Sequence, residues 1–261
     1  MENTPTIKSP LARLLNKLNA LIEYLANPTR FMRFSRKILP WLIAATTLTL
    51  IYGFYLAWFK APYDYQQGHT VKIMFIHVPM ASLGMMIYAL IATASIGSLI
   101  WRHPLADVAA KAALPIGAVF TFLSLVTGSL WGKPMWGTYW VWDARLTSML
   151  VLFFLYLGLM AIWEAIEDRS RAGRAAAILA VVGVINLPII KFSVNWWNTL
   201  HQPASIKPDI AIHSSILTPL LVMWLGFTLL FIVLHLKAMR AEVLRRKVEA
   251  MQLRRVERAS R

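Results

Sequence analysis

Six apolar runs are the sequence feature that most constrains the fold of this chain. They occupy residues 38–59, 73–101, 112–132, 146–163, 175–190 and 214–236. Most of them reach the roughly 20 residues that a helix needs to cross a hydrocarbon core of about 30 Å. Backbone polar groups in lipid must find their partners within the segment, so we expect helices. The sequence therefore predicts an all-α polytopic integral membrane protein with six transmembrane helices.

The positive charge of the chain is distributed unevenly about these runs. Of the 27 Lys and Arg residues, 21 fall in the two termini and in the loops near 102–111 and 164–174. The other six fall in the loops near 60–72, 131–145 and 191–213. The positive-inside rule then places both termini in the cytoplasm. The net charge of +15 therefore indicates topology and contact with membrane lipid, and no nucleic acid is expected as a partner.

The ends of the chain differ in character from the apolar region between them. Residues 1–37 are predicted to be a cytoplasmic amphipathic and basic segment, in which residues 10–25 have the spacing of a helix lying on the membrane. This segment has no apolar core followed by a small-residue cleavage site, so the first span is expected to be an uncleaved anchor. Residues 38–237 are predicted to form the membrane domain, and residues 238–261 a basic cytoplasmic tail.

A tryptophan-rich segment at residues 131–145 connects the third and fourth runs. It contains Trp131, Trp136, Trp140 and Trp142, followed by Asp143. Glycine and proline residues in its first half predict a loop, and Asp143 stands where a helix N-cap would stand. Four indoles would offer a broad, flat, π-rich surface suited to a flat aromatic ligand. The alternative is an interfacial belt, because Trp and Tyr gather at the membrane–water boundary.

Two histidines are predicted to lie on the same side of the membrane as this segment. His77 lies near the outer end of the second span, and His201 lies in the long loop after the fifth. Ionisable residues inside spans are energetically expensive and tend to mark function. Neutral imidazole suits iron, so two imidazoles with indoles between them form a candidate haem site. Lys133 or Arg145 could pair with the propionates of the haem.

Each of these residues also has a plainer interpretation. His77 could be a satisfied polar group, and Asp143 could only cap a helix, a role worth about 1 kcal/mol. Arg145 could only extend its charge to the interface. Spacing alone does not separate haem from another flat ligand such as a quinone. Cys is absent, so thiolate metal sites and disulfides are excluded.

The segment WGTYWVWDAR resembles the Trp-rich "WWD" signature of haem-handling membrane proteins. With KIMFIHVPMA before it and NLPIIKFSVNWWNTLHQ after it, the region from about Pro40 to Gln202 is similar to the haem exporter protein C family (CcmC) of bacterial cytochrome c maturation. The resemblance implies that haem b is bound. The candidate haem-contacting residues are Trp131, Trp136, Gly137, Trp140, Trp142, Asp143 and Arg145, and the candidate axial ligands of the iron are His77 and His201.

The resemblance also implies a function in haem delivery and not in conventional enzymology. Proteins of this family hold haem at the periplasmic face of the inner membrane and load it onto the haem chaperone CcmE. The implied partners are CcmD and the ATP-binding-cassette subunits CcmA and CcmB. A haem lyase is the first alternative, although related lyases are larger and have more spans. A transporter subunit that moves haem across the bilayer is the second, although the spans contain no evident polar pathway.

Overall fold

The structure is a computed structural model that describes residues 27–103, 105–201 and 212–260. Helices account for its regular structure apart from one isolated bridge between Asp64 and Gly68. Six helical segments in this part of the chain are long and apolar enough to cross a membrane, which confirms the predicted class and number of spans. The amphipathic helix predicted at residues 10–25 lies outside the described residues.

The helices follow the order of the six apolar runs. They are α1 (Pro28–Tyr55), α2 (Met74–Trp101), α3 (Ala106–Trp136), α4 (Ala144–Ala165), α5 (Arg169–Gly183), α6 (Asn186–Trp196) and α7 (Ser214–Ala259). A π-helical turn at Leu56–Lys60 extends α1, and a 3₁₀ turn at His69–Ile73 precedes α2. The first helix begins where the Asn27 side chain accepts the N–H of Thr29 at 2.9 Å.

The fifth span consists of two helices, α5 and α6, with a break between them. Pro188 has no N–H to donate to the carbonyl of Val184, so the α-helical hydrogen bonding between residues four apart is interrupted in the preceding turn. There Val184 and Ile185 donate to carbonyls three residues earlier, both at 3.3 Å. The sequence predicts a kink at Pro188, and the structure places the break on its N-terminal side. As a result α5 packs against α2 and α4, while α6 packs against α4.

Tyr156 joins three helices in the core of the bundle. It lies on α4, is fully buried, and donates its hydroxyl to the Gly84 carbonyl of α2 at 2.7 Å. Its ring lies against Gly117 of α3, where a Cβ would overlap the ring. Tyr88 of α2 packs edge-to-face on it, with ring centroids 5.4 Å apart. Small residues thus let α2, α3 and α4 approach closely around one aromatic side chain.

The last helix extends far beyond its apolar part. At a rise of 1.5 Å per residue, the 46 residues of α7 span about 69 Å, more than twice the hydrocarbon core. Beyond the apolar part, Arg246 donates to Asp107 of α3 and to Glu242, both at 2.8 Å. Arg169 of α5 pairs with Glu249. The basic tail is therefore helical and is fixed to the ends of α3 and α5 by ion pairs.

We expect the Arg246→Ala variant to lose about 2 kcal/mol of unfolding free energy, because it removes a partly exposed ion pair with Asp107 and one charged partner of the buried Glu242. Its matched control is Lys247→Ala, which removes a neighbouring exposed cation and should change stability by about 0.5 kcal/mol or less. Unfolding in increasing dodecyl sulfate, followed by circular dichroism, measures both. Equal losses in the two variants would contradict a specific role of the Arg246 pairs.

Candidate functional site

The tryptophan-rich segment is helical in its first half and a loop in its second half. Helix α3 continues through Trp136, so the prediction of a loop from Trp131 onward is wrong. Pro134 lies in the last turn, where a proline removes one hydrogen bond without stopping the helix. Gly137 ends it, with a φ of 74° in the left-handed region that favours glycine. The loop itself comprises only residues 137–143.

Two of the four indoles pack against the two histidines. The Trp131 ring lies edge-on to the His77 ring, with centroids 5.6 Å apart, and its Nε1–H donates to Gln67 Oε1 at 2.7 Å. The Trp136 ring lies against the His201 ring at 4.9 Å. These two tryptophans therefore support the imidazoles from the side.

The other two indoles lie on the loop and meet at a steep angle. The ring planes of Trp140 and Trp142 are inclined by 79°, so the predicted single flat surface is wrong. Trp140 lines a cavity, and its buried Nε1 has no hydrogen-bond partner among the described residues. Trp142 is 75% exposed and lies on the outside of the loop. An interfacial role fits Trp142, whereas Trp140 faces the interior.

A cavity of about 240 Å³ brings the predicted parts together. It lies between α2, α3, α4 and α6, and both His77 and His201 line it. Small-molecule pockets usually measure roughly 300–1,000 Å³, so this one is slightly small. Its polar end is lined by His77, His201, Trp140, Arg145 and Lys191, and its apolar end by Val78, Ala81, Met85, Leu125, Met149 and Ile190. Residues far apart in sequence therefore converge on one space.

His77 is held in a single tautomer by α3. Its Nδ1 lies 3.0 Å from the Ser124 carbonyl oxygen and 3.2 Å from Thr127 Oγ1. A carbonyl only accepts, so Nδ1 carries the proton and Nε2 keeps its lone pair. A Cβ at Gly128 would lie 2.9 Å from His77 Cε1, so the glycine makes room for the ring. The imidazole is thus a satisfied polar group and an available ligand at once.

His201 is oriented by Asp143. Its Nδ1 lies 3.4 Å from Asp143 Oδ2, while Asp143 Oδ1 accepts the Leu146 N–H at 2.7 Å and so caps α4 as predicted. Burial lowers the pKa of His201 below its ordinary value, and the nearby Asp143 carboxylate opposes that shift. A neutral imidazole whose Nδ1 faces a carboxylate presents Nε2 as a ligand, as in many metal sites.

Of the two residues that the sequence suggested for pairing with propionates, Arg145 lies at the cavity and Lys133 does not. Arg145 lines the cavity and donates to Ser193 Oγ and to the Lys191 carbonyl, both at 3.3 Å. Lys133 instead donates to the Gly137 carbonyl at 2.9 Å, at the C-terminal end of α3. Lys191 also lines the cavity, and sequence reasoning missed it. The signal was available, since apolar residues resume after Lys191, at Phe192 and Val194, and a lysine within a span is costly.

Replacing Asp143 with Asn should lower the pKa of His201 further, because the charge that raises it is removed while Asn still caps α4. The folded-state pKa of His201 lies below the unfolded value of 6.5. At pH values between these two pKa values, the unfolded protein therefore binds more protons than the folded protein. Stability then falls as pH drops below about 6.5, over a wider range in the variant.

Imidazole NMR titration of the haem-free protein measures this shift, with the His201 signal assigned by comparison with His201→Gln. Asp168 caps α5 through the Arg171 N–H, so Asp168→Asn is the matched control and should leave the titration of His201 unchanged. An unchanged or higher pKa in Asp143→Asn would contradict the contact.

Comparison with known proteins agrees with the resemblance seen in the sequence. A family model described as Heme exporter protein C matches residues 21–254. Relatives with that name are 64% identical over 231 residues in Bradyrhizobium diazoefficiens, covering 88% of each chain, and 50% identical over 223 residues in Escherichia coli K12, covering 85% of this chain and 91% of the relative. A third, from Paracoccus denitrificans, is 45% identical over 236 residues, covering 89% and 97%. The chain therefore belongs to the Heme exporter protein C family.

Proposed function

We propose that this chain binds haem b at the periplasmic face of the bacterial inner membrane and delivers it to the haem chaperone CcmE. The observation that carries the proposal is the pair of histidines on one cavity, each with its Nδ1 engaged elsewhere. Relatives named heme exporters support haem as the ligand. The excess of basic residues at the opposite end of the bundle supports the periplasmic assignment.

The residues around the cavity fit haem in three respects. His77 and His201 offer neutral imidazole nitrogens, which iron accepts as axial ligands. Apolar side chains cover most of the wall, as a large hydrophobic ring requires. Arg145 and Lys191 place positive charge at the same end as the histidines, where carboxylates could pair with it. When bound, haem supplies the iron and the conjugated ring, and the protein supplies these contacts.

The side chain of His77 is more tightly constrained by its surroundings than that of His201. This difference suits a protein that releases the ligand it binds. His77 lies in helix α2, is bonded at 3.0 Å to the α3 backbone, and has a seat shaped by Gly128. His201 follows α6 in a segment without regular structure and has a longer 3.4 Å contact to Asp143. We therefore assign His77 as the retained ligand and His201 as the one exchanged during transfer.

The exposed aromatic side of the loop is the docking surface that we assign to CcmE. Trp142 is 75% exposed and Tyr139 is 56% exposed, and both belong to the loop whose Trp140 lines the cavity. Large exposed aromatic side chains are typical anchors of protein interfaces. In this proposal, haem passes to CcmE by exchange of an iron ligand and without a covalent step. The chain is then a binding protein and not an enzyme. CcmD and the subunits CcmA and CcmB are the further partners that the family suggests.

A transporter subunit is the second candidate, favoured by the word exporter in the names of the relatives. Proteoliposomes that hold hemin on one side and an apo-haem-protein acceptor on the other separate the candidates. A delivery protein leaves hemin on its original side, whereas a transporter moves it to the acceptor.

The absorption spectrum of the detergent-purified protein, alone and co-expressed with CcmE, tests haem binding. We expect a Soret band in the wild type that weakens or shifts in His77→Ala and in His201→Ala, because each loses one axial ligand. His69→Ala is the matched control, since His69 precedes the same helix but lies against the Tyr63 ring. Equal and unshifted haem in all four proteins would refute ligation by both histidines.

Gly128→Ala should weaken haem binding about tenfold, equivalent to about 1.4 kcal/mol, because the added methyl displaces the His77 ring. Gly97→Ala is its control, since a Cβ there would meet only the Ala106 methyl, at an ordinary 3.8 Å. Hemin titration followed at the Soret band gives both affinities. Equal affinity in the two variants would mean that the position of the His77 ring does not depend on the absence of a side chain at Gly128.

A further inference from the structure

The break in the fifth span separates its second half from α2. Helix α5 packs against both α2 and α4, whereas the extensive contacts of α6 are with α4. Polar contacts hold α6 there: Asn186 Nδ2 donates to the Ser148 carbonyl at 2.9 Å, and Arg145 donates to Ser193 Oγ and to the Lys191 carbonyl, both at 3.3 Å. The second half of the span therefore follows α4 and departs from α2 beside the cavity.

The cavity borders this gap along much of its depth. On α2 its wall runs from His77 to Met85, about 12 Å at a rise of 1.5 Å per residue. Between these two residues, Val78 and Ala81 face the cavity, and α6 contributes Ile190 from the other side of the gap. Contacts of α2 with α3, α3 with α4, and α4 with α6 close the remaining sides. Among the described residues, the side that such contacts leave open is thus the one between α2 and α6.

The wall of the gap is apolar even where its sequence is polar. Ser82 lines the cavity, but its hydroxyl donates to the Pro79 carbonyl at 3.0 Å and accepts the Trp224 Nε1–H at 2.7 Å. Trp224 belongs to α7, which packs on the same helix. Because the Ser82 hydroxyl already donates one hydrogen bond and accepts another, a ligand at this wall does not need to bond to it. The wall is therefore effectively apolar, as lipid is.

We propose that the gap between α2 and α6 is a lateral entrance through which the cargo of the site passes from the bilayer into the cavity. This inference rests on the proposed function and names the route of loading. A planar amphiphile with carboxylates on one edge dissolves in a bilayer with that edge at the surface. Sideways entry keeps its carboxylates near Arg145 and Lys191 while its apolar edge slides along the wall between His77 and Met85.

Entry from the aqueous end is obstructed by comparison. Trp140 of the loop at residues 137–143 lines the cavity at that end, and Trp136 packs on His201 with ring centroids 4.9 Å apart. An apolar ring arriving from water would have to open these contacts, whereas the lateral path opens none of them. The loop end is then left for the chaperone.

A reversible bridge across the gap tests the entrance. The chain has no Cys, so Ala81→Cys combined with Ile190→Cys supplies its only thiols. A cleavable bismaleimide joins them in proteoliposomes of phosphatidylcholine and phosphatidylglycerol, and hemin dissolved in added vesicles of the same lipids is followed at the Soret band. We expect the bridged protein to load at least tenfold more slowly than the same protein unbridged, and cleavage to restore the rate. A bridge installed after loading should slow the loss of hemin to albumin.

The matched control bridges α3 to α4 on another side of the bundle. Phe122 and Phe153 have ring centroids 5.7 Å apart, and a bridge between Cys residues at these positions should leave the loading rate unchanged. A second pair of variants needs no bridge: Ala81→Trp should slow loading at least tenfold, whereas Val182→Trp, at a 64% exposed position of α5, should not.

The outcomes separate the entrance from the function. Equal loading rates with and without the bridge, or in the two Trp variants, would overturn the lateral entrance and leave haem binding intact. Faster loading from hemin–albumin in water than from hemin in lipid would overturn it as well. No Soret band in any protein, the wild type included, would refute the proposed function and the entrance together.

Discussion

One oxygen of the Asp143 carboxylate accepts the Leu146 N–H at 2.7 Å, and the other lies 3.4 Å from His201 Nδ1. The first contact fixes where α4 begins, and the positive end of that helix favours the charged carboxylate. The second brings the segment after α6 to the same point. Because Asp143 is only 8% exposed, both contacts are shielded from water. Asp143, which sequence reasoning treated as either a cap or a site residue, therefore caps α4 and also contacts the imidazole of His201.

The bilayer also constrains the hydrogen bonding of polar groups inside the spans. An unpaired polar group in hydrocarbon is costly, and where a polar group has a partner, that partner also decides which way the side chain points. His77 Nδ1 is paired with the α3 backbone, and this pairing leaves the lone pair on Nε2. Asn186 is paired with the α4 backbone, against which α6 packs. The orientation of His77 and the packing of α6 on α4 therefore both involve buried hydrogen bonds.

The number of spans and the convergence of the candidate residues could be predicted from the sequence, whereas local geometry could not. Apolar runs of sufficient length leave helices as the only solution, and the two histidines and the Trp-rich segment were expected at one end. The prediction failed at Pro134, because a proline in a final helical turn costs only one hydrogen bond. It failed for the flat indole surface, because the loop backbone sets the angle between Trp140 and Trp142. Gly128 gave no signal, since its role is visible only when the His77 ring is placed against it.

The arrangement gives the proposed delivery a direction. A ligand that enters between α2 and α6 passes beside His77, whose ring is fixed by α3, and leaves the loop end to a docking partner. There the contacts are His201, held by one longer contact, and the loop that carries the exposed Trp142. A chaperone that docks on this loop acts on the less firmly held ligand without disturbing the helix that carries the other. Net transfer still requires the loaded chaperone to be lower in free energy than the loaded protein, because geometry sets the path and differential affinity sets the equilibrium.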